Sequence, residues 1–540
     1  MDEVTNIETQ VLDHYGLVAA IEREMGLIKI IDKILSKRGQ KHFLSHGQAI
    51  FSLILCGLGF EDRRLYSMRR FLHARPVELL FGKGILASMF TDDCLGRALD
   101  AINKYGPQNF FLDFSGHLLK IKKFHHYLVN MDTTSLSLHG KFPKEKNKAI
   151  NMTYGHSKDH RPDLPQLILA LALSGPASLP FWLNIHSGNE NDKKILPNMV
   201  KNIEDFRTKV ALDQDWIYAA DSALYSRKFL LNGNSMKDFK WITRVPESIK
   251  SARTLLEKSK VDDSWETEGD YKFTSSQMEY AGVKQRWIIV FHRKSFGKEM
   301  GTLKKKIQKE SKLIKNILKK RDNHLYQKRN EINKFILEFK KKHPNYDFFY
   351  DAYTKRAPSK KGKKKKLIGY KAFIGFRPNK GKYNRLKNKK GKFILTTNEM
   401  DEKKLSDSDV FNSYRKQAKV ERGFRFIKDP SFRIGQVFLK KPERIQALIV
   451  VMVLTLLLHN YGQWWMREKI RGQNFKFKNQ LGKPSSSPSA KWIFQSFQKI
   501  VLVKYSHGKK VKEFVSNVSQ ENFLLLKCLG REACSIYGFP

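Results

Sequence analysis

The sequence predicts a mixed α/β protein, a sheet-based core split by a long basic insertion, with helical regions before and after it. Three observations carry this. Apolar residues recur at helical spacing through the first 125 residues. From residue 126 to 246 the texture changes to short runs of sheet-forming residues, broken by one helical stretch. Residues 247–392 are strongly basic, and strand character returns at 393.

The elements follow in order. In 1–125, "HYGLVAAIEREMGLIKIIDKIL" and "GQAIFSLILCGLGF" read as helices, and "SMRRFLHARPVELLFG" continues them with Pro76 as punctuation. The core opens with "YLVNMDTTSLSLHG" (127–140), a strand holding Asp132. "LPQLILALALSG" and "SLPFWLNIHSGN" are further strands about a Gly-Pro turn, and 191–206 is a helix. "DWIYAADSALYS" (215–226) reads as a strand ending on Asp221, and "KWITRVP" as another. The insertion, 247–392, holds two strand runs, then long basic helices, then a stretch from 355 to 392 with seventeen Lys or Arg and no acid. The second half of the core, 393–460, has "FILTTN" and a late helix around Glu421. The last region, 461–540, reads as helical, a region for dimerisation, with "GKPSSSPSAK" as a flexible linker.

Composition narrows the function. The formal net charge is +48, which favours polyanions, nucleic acid first and an anionic membrane surface second. Cys56, Cys94, Cys528 and Cys534 form no C-x2-C pair, so zinc-finger and zinc-ribbon readings fail. Sparse cysteines fit a reducing cytoplasm. The opening "MDEVTNIETQVLDHYG" is acidic and lacks the apolar stretch of a signal peptide. The apolar run 445–459 is shorter than the roughly 20 residues of a membrane span, so it reads as a buried core helix.

Residues 413–430, "SYRKQAKVERGFRFIKDP", set Glu421 in a basic segment. At about 100° per residue, Tyr414, Gln417, Glu421, Arg425 and Lys428 share one narrow stripe of a helix. Val420, Phe424 and Ile427 form the adjoining apolar face. Asp132 and Asp221 each sit in an apolar strand, where a carboxylate is costly to bury without a partner. Two strand acids and one helix acid could converge on divalent metal. Taken singly, each has a plainer reading: a turn cap for Asp132 or Asp221, and an ion-pair partner of Arg425 for Glu421.

The order Asp, Asp, Glu resembles the DDE arrangement of RNase H-like nucleotidyl transferases. Positions 414–428 resemble the Y-x2-R-x3-E-x6-K signature of bacterial insertion-sequence transposases that excise DNA through hairpin ends. Tyr414, Glu421 and Lys428 match it with the spacing intact, and Gln417 stands where the family has Arg. "YAADSALYS", "KWITRVP" and "GHSKDHRPDLPQ" are also similar to this family.

The resemblance implies an RNase H-like core with Asp132, Asp221 and Glu421 binding two Mg2+ (or Mn2+) ions. It implies that Tyr414, Gln417, Arg425 and Lys428 contact DNA. In the insertion, Trp287, with Trp265 behind it, would hold a flipped base; a half-buried strand aromatic is the alternative. The partners would be double-stranded DNA with terminal inverted repeats and target DNA. The protein would act as a homodimer in a synaptic complex, in a bacterial or archaeal cytoplasm on the nucleoid. His156 and His160 sit at i,i+4, but Gly155 and Pro162 argue for a polar loop rather than a metal site. The competing functions are an inactive or domesticated DNA-binding relative, and an RNase H-like nuclease without strand transfer.

Overall fold

A computed structural model describes residues 4–36, 44–59, 67–122, 128–140, 142, 150–210, 216–234, 239–357, 365–429, 441–507 and 510–539. The chain forms two compact units, Met1–Trp241 with Ser413–Pro540, and Ile242–Asn412.

The first unit holds the mixed sheet that positions Asp132 and Asp221. Strand Leu128–Ser137 runs antiparallel to Gln166–Ser174, which runs antiparallel to Leu179–Ser187. On its other side Leu128–Ser137 pairs in parallel with the short strand Ile217–Ala219. Every residue of Gln166–Ser174 is buried. This explains why "QLILALALS" shows no alternation: a strand covered on both faces reads as a continuous apolar run.

Helices Asp192–Val210 and Ala418–Ile427 both pack on strand Leu128–Ser137. The second does so through Val420, Gly423, Phe424 and Ile427. Gly423 leaves room for a close approach there: a Cβ would stand 3.0 Å from Leu456 Cδ2 and 3.8 Å from Leu173 Cδ2.

The apolar run 445–459 belongs to a helix of 31 residues, Pro442–Gly472. By length and composition that helix could cross a membrane, yet its apolar window is mostly buried within the protein. It packs against the N-terminal helices His46–Leu58, Asp92–Tyr105 and Tyr15–Met25. Arg444 fixes this packing with a forked ion pair, Nε and Nη2 each 2.7 Å from an Asp100 carboxylate oxygen.

The ends of the chain differ from the helical reading. Val4–Val11 is a strand, paired antiparallel with Val501–His507, which pairs with Lys510–Ser516. Terminal segments far apart in sequence thus share one small sheet, which local periodicity could not reveal. The stretch read as a linker carries a short antiparallel pairing, Phe477–Lys478 with Pro484–Ser485.

In the second unit Lys392–Thr397 lies between the strand Lys240–Arg244 and Val283–His292. Val283–His292 continues to Tyr271–Tyr280 and then Glu266–Glu268. Helices Arg293–Lys319 and Arg329–Lys342 follow. A long hairpin, Tyr346–Arg356 with Leu367–Pro378, shares a small core with them through Ile314, Ile332, Phe339 and Tyr346. Part of the basic run, 358–364, lies outside the described residues.

Candidate active site

Strand register brings Asp132 and Asp221 together. Leu128, Val129 and Asn130 pair with Ile217, Tyr218 and Ala219. Asp132 and Asp221 each stand two residues beyond the last of these pairs. The strand read through 215–226 is only three residues long. Asp221 follows it in a tight turn, its Oδ1 accepting a hydrogen bond from the Ala223 N–H at 2.8 Å.

Asp132 is the one residue between Leu128 and Leu136 that is not fully buried. Burial pushes its carboxyl up to about 7. The Lys158 ammonium and the Thr133 N–H pull it back, while the charges of Asp221 and Asp192 push it up further. A carboxyl held so far up beside two other acids is a site that favours a cation.

Two residues that the sequence reading passed over complete the surroundings. Asp192 opens the helix Asp192–Val210 and accepts a 2.6 Å hydrogen bond from Thr133 Oγ1. Lys158 Nζ lies 2.8 Å from Asp192 Oδ2 and donates to Thr133 O and Oγ1, each at 2.7 Å. The signal for Asp192 was an acid at a helix start, which a favourable helix dipole explains equally well. Lys158 sits within "HSKDHRP", and nothing local marks it out among the other polar residues.

The loop carrying Lys158 is held by close backbone approach. A Cβ on Gly155 would stand 2.0 Å from Gly188 O, and one on Gly188 2.1 Å from Gln166 O. Gln166 Nε2 then donates to Gly188 O at 2.7 Å and to His156 O at 3.2 Å. His156 and His160 lie in this loop, so their i,i+4 spacing puts them on no helix face.

The continuous stripe from Tyr414 to Lys428 is corrected. One helix ends at Arg415 and the next begins at Ala418, with Lys416 and Gln417 in a turn between them. The N–H of Lys416 bonds Ser413 O and that of Gln417 bonds Tyr414 O, a tightened link that shifts Tyr414 off the later wheel. Within Ala418–Ile427 the two faces are as the spacing predicts. Glu421 and Arg425 are exposed, whereas Val420, Phe424 and Ile427 are buried. Gln417 is buried, and Lys428 Nζ makes a 2.6 Å ion pair with Asp159 Oδ1.

Glu421 therefore rides on a helix packed against the Asp132 strand, on that helix's exposed side. Among the described residues no group of three His, Cys, Asp or Glu side chains gathers closely enough to hold a metal ion. Asp132 and Asp221 still suit a hard cation, because Mg2+ keeps several waters and needs only one or two protein carboxylates.

Trp287 does not offer a stacking face. It is fully buried in its strand, and its indole N–H donates to Gln285 Oε1 at 3.2 Å. Its strand is an inner one, setting Trp287 opposite Thr396 and Ser276, and the ring lies in the buried interior rather than on a face open to a base. Trp265 is buried as well.

Residues 7–115 match a domain of unknown function, and residues 123–458 match the transposase DDE domain. No curated protein matches the chain. Among solved structures the chain is similar to a piggyBac transposase in a synaptic complex with hairpin DNA, at 8% identity and a TM-score of 0.37. That match covers 87% of this chain and 79% of the other. The DDE-domain match takes in well over half of the 540 residues and includes both strand acids and the Glu421 helix. The chain thus belongs to the family of transposase DDE domains.

Proposed function

We propose that this transposase cuts and joins DNA at terminal inverted repeats, with Asp132, Asp221 and Glu421 as its catalytic acids and Mg2+ or Mn2+ as cofactor. The observation that carries this is the placing of Asp132, within its strand, beside Asp221, just past the end of the neighbouring parallel strand, with Asp132 pushed up to about 7. An RNase H-like core is supported by the strand order, three antiparallel strands with the fourth parallel to the first.

Bound metal would activate water and stabilise the leaving oxygen of the phosphodiester. The chain's own residues do the rest. Asp132 and Asp221 supply adjacent carboxylates from a rigid strand and a pinned turn. Lys158 holds Asp192 and offsets part of the negative charge beside Asp132. Glu421 would join the pair from the exposed side of the helix packed on the Asp132 strand. Lys428 exchanges Asp159 for a DNA phosphate, which opens the loop at the same time. Tyr414 and Arg425 contact the backbone nearby, whereas Gln417, buried at the start of the Glu421 helix, would support them from within. A homodimer synapsing two ends, with excision through hairpins, completes the reading.

The test is Mg2+-dependent cleavage of DNA carrying the gene's own flanking ends. Wild type is compared with Glu421→Gln and Asp132→Asn. Hairpin product from wild type, lost in both variants while DNA binding persists, supports the assignment. Nicking that survives Glu421→Gln removes Glu421 from the site. Tight binding without cleavage by wild type favours a DNA-binding relative.

A further inference from the structure

The helix bearing Glu421 also borders a basic cavity on its other side. Lys419 and Phe426 lie roughly 140–160° around the helix axis from Glu421. They face a cavity of about 600 Å³ with walls from the long helix Pro442–Gly472 and the turn at Pro176–Ser178. Five Lys or Arg line it (Lys419, Arg422, Arg467, Arg471 and Lys491) against two carboxylates, Asp429 and Glu468. Glu468 is already taken by Arg471 at 3.0 Å.

Among the described residues Lys419, Arg422 and Arg467 meet no carboxylate within ion-pair distance. Arg467 is aimed instead by a 2.8 Å bond from its Nε to Pro488 O. Burial, then the charges of Lys416, Arg422 and Arg467, hold the Lys419 ammonium below the usual lysine range. Arg467 is pushed down by burial and by Arg471 and Arg422. Three crowded cations in a concave wall are costly alone and are relieved by an anion. Half-buried Trp464 supplies an apolar side to the same cavity.

We propose that this cavity binds a backbone phosphate of DNA, held by Lys419, Arg422 and Arg467 on the side of the helix turned away from Glu421. One helix would then answer to DNA on both sides, with phosphate binding on the one setting the position of the acid on the other. The proposal takes DNA as ligand from the family and does not depend on the cleavage reading.

The experiment uses the full-length protein and a fluorescent DNA duplex, with affinity measured by anisotropy across a salt series. The double variant Lys419→Gln/Arg422→Gln is expected to lower the slope of log affinity against log salt by about 1–2, as for one or two lost phosphate contacts. Its melting temperature is expected to equal or exceed that of wild type, because like-charge crowding is removed. The charge-preserving Lys419→Arg/Arg422→Lys keeps the wild-type slope. An unchanged slope in a folded Gln variant overturns the proposal. So does an equal fall in Lys527→Gln/Arg531→Gln, two exposed cations elsewhere, which would reduce the effect to net charge. Inorganic pyrophosphate gives the last arm. If it raises the melting temperature of wild type but not of the Gln variant, and the DNA slope is the same in both, the cavity takes a free anion and the DNA assignment falls. Absence of cleavage by wild type with the slope difference intact would overturn the cleavage reading and leave this one standing.

Discussion

Asp132 is a carboxyl whose place in the fold opposes its ionisation. Its folded value is about 7 against 3.8 for the free group, so the folded state binds its proton more tightly than the unfolded state does. The cost of ionising it is absent below pH 3.8, grows between 3.8 and about 7, and is fully present above 7. An asparagine side chain carries no such cost. Asp132→Asn is therefore expected to raise stability at pH 8 by roughly 2–4 kcal/mol, at about 1.4 kcal/mol per pKa unit and discounted for the part that reaches water. The gain should shrink steadily as pH falls towards 4, which melting curves across pH would show. The same substitution should lower cleavage by roughly 10³-fold or more. Adding Mg2+ should raise the melting temperature of wild type and not of the Asp132→Asn variant; equal shifts would place the ion elsewhere. Asp132 was legible in the sequence as a charge inside an apolar strand. Asp192 and Lys158 were not, because their meaning comes from contacts with Thr133 across 59 and 25 residues.

Among the elements, the loop from Gly155 to Leu164 depends on two glycines chosen for close approach rather than for turning. Gly188→Ala would drive a Cβ into Gln166 O, a backbone atom that cannot rotate away. The expected cost is about 1–3 kcal/mol, with displacement of Lys158 from Asp192. A crystal structure of the variant and its melting temperature check both; an unmoved loop with unchanged stability would refute this account. The Glu421 helix shows where periodicity works and where it stops. From Ala418 to Ile427 the wheel separates buried from exposed correctly. At Lys416–Gln417 the backbone stays helical but tightens to i→i+3 bonds, and arithmetic carried through at 100° per residue shifts Tyr414 on the wheel. A two-residue turn inside a polar, basic run leaves no mark that spacing can read.

Across the whole chain, the first and last segments close on each other. Tyr537 is buried, its hydroxyl donating to Asp13 O at 2.5 Å and accepting from Leu17 N at 3.2 Å. Gly16 lets the ring approach, since a Cβ there would stand 2.7 Å from it. Tyr537→Phe removes both of these hydrogen bonds and should cost about 1–3 kcal/mol. Removing residues 520–540 should do much more, because it uncovers the N-terminal helix as well; soluble, cooperatively melting truncated protein would contradict this.

The sequence by itself determined the mixed class, the basic character, the two strand acids and the apolar and polar faces of the Glu421 helix. Each is written locally, in a charge inside an apolar run or in a spacing of three and four residues. Tertiary structure alone decided the rest. It set Asp221 beside Asp132 through parallel register, gave Asp192 and Lys158 their roles, buried Trp287 and joined the termini in one sheet. These depend on which distant segments lie side by side, and no local periodicity encodes a partner more than a few turns away.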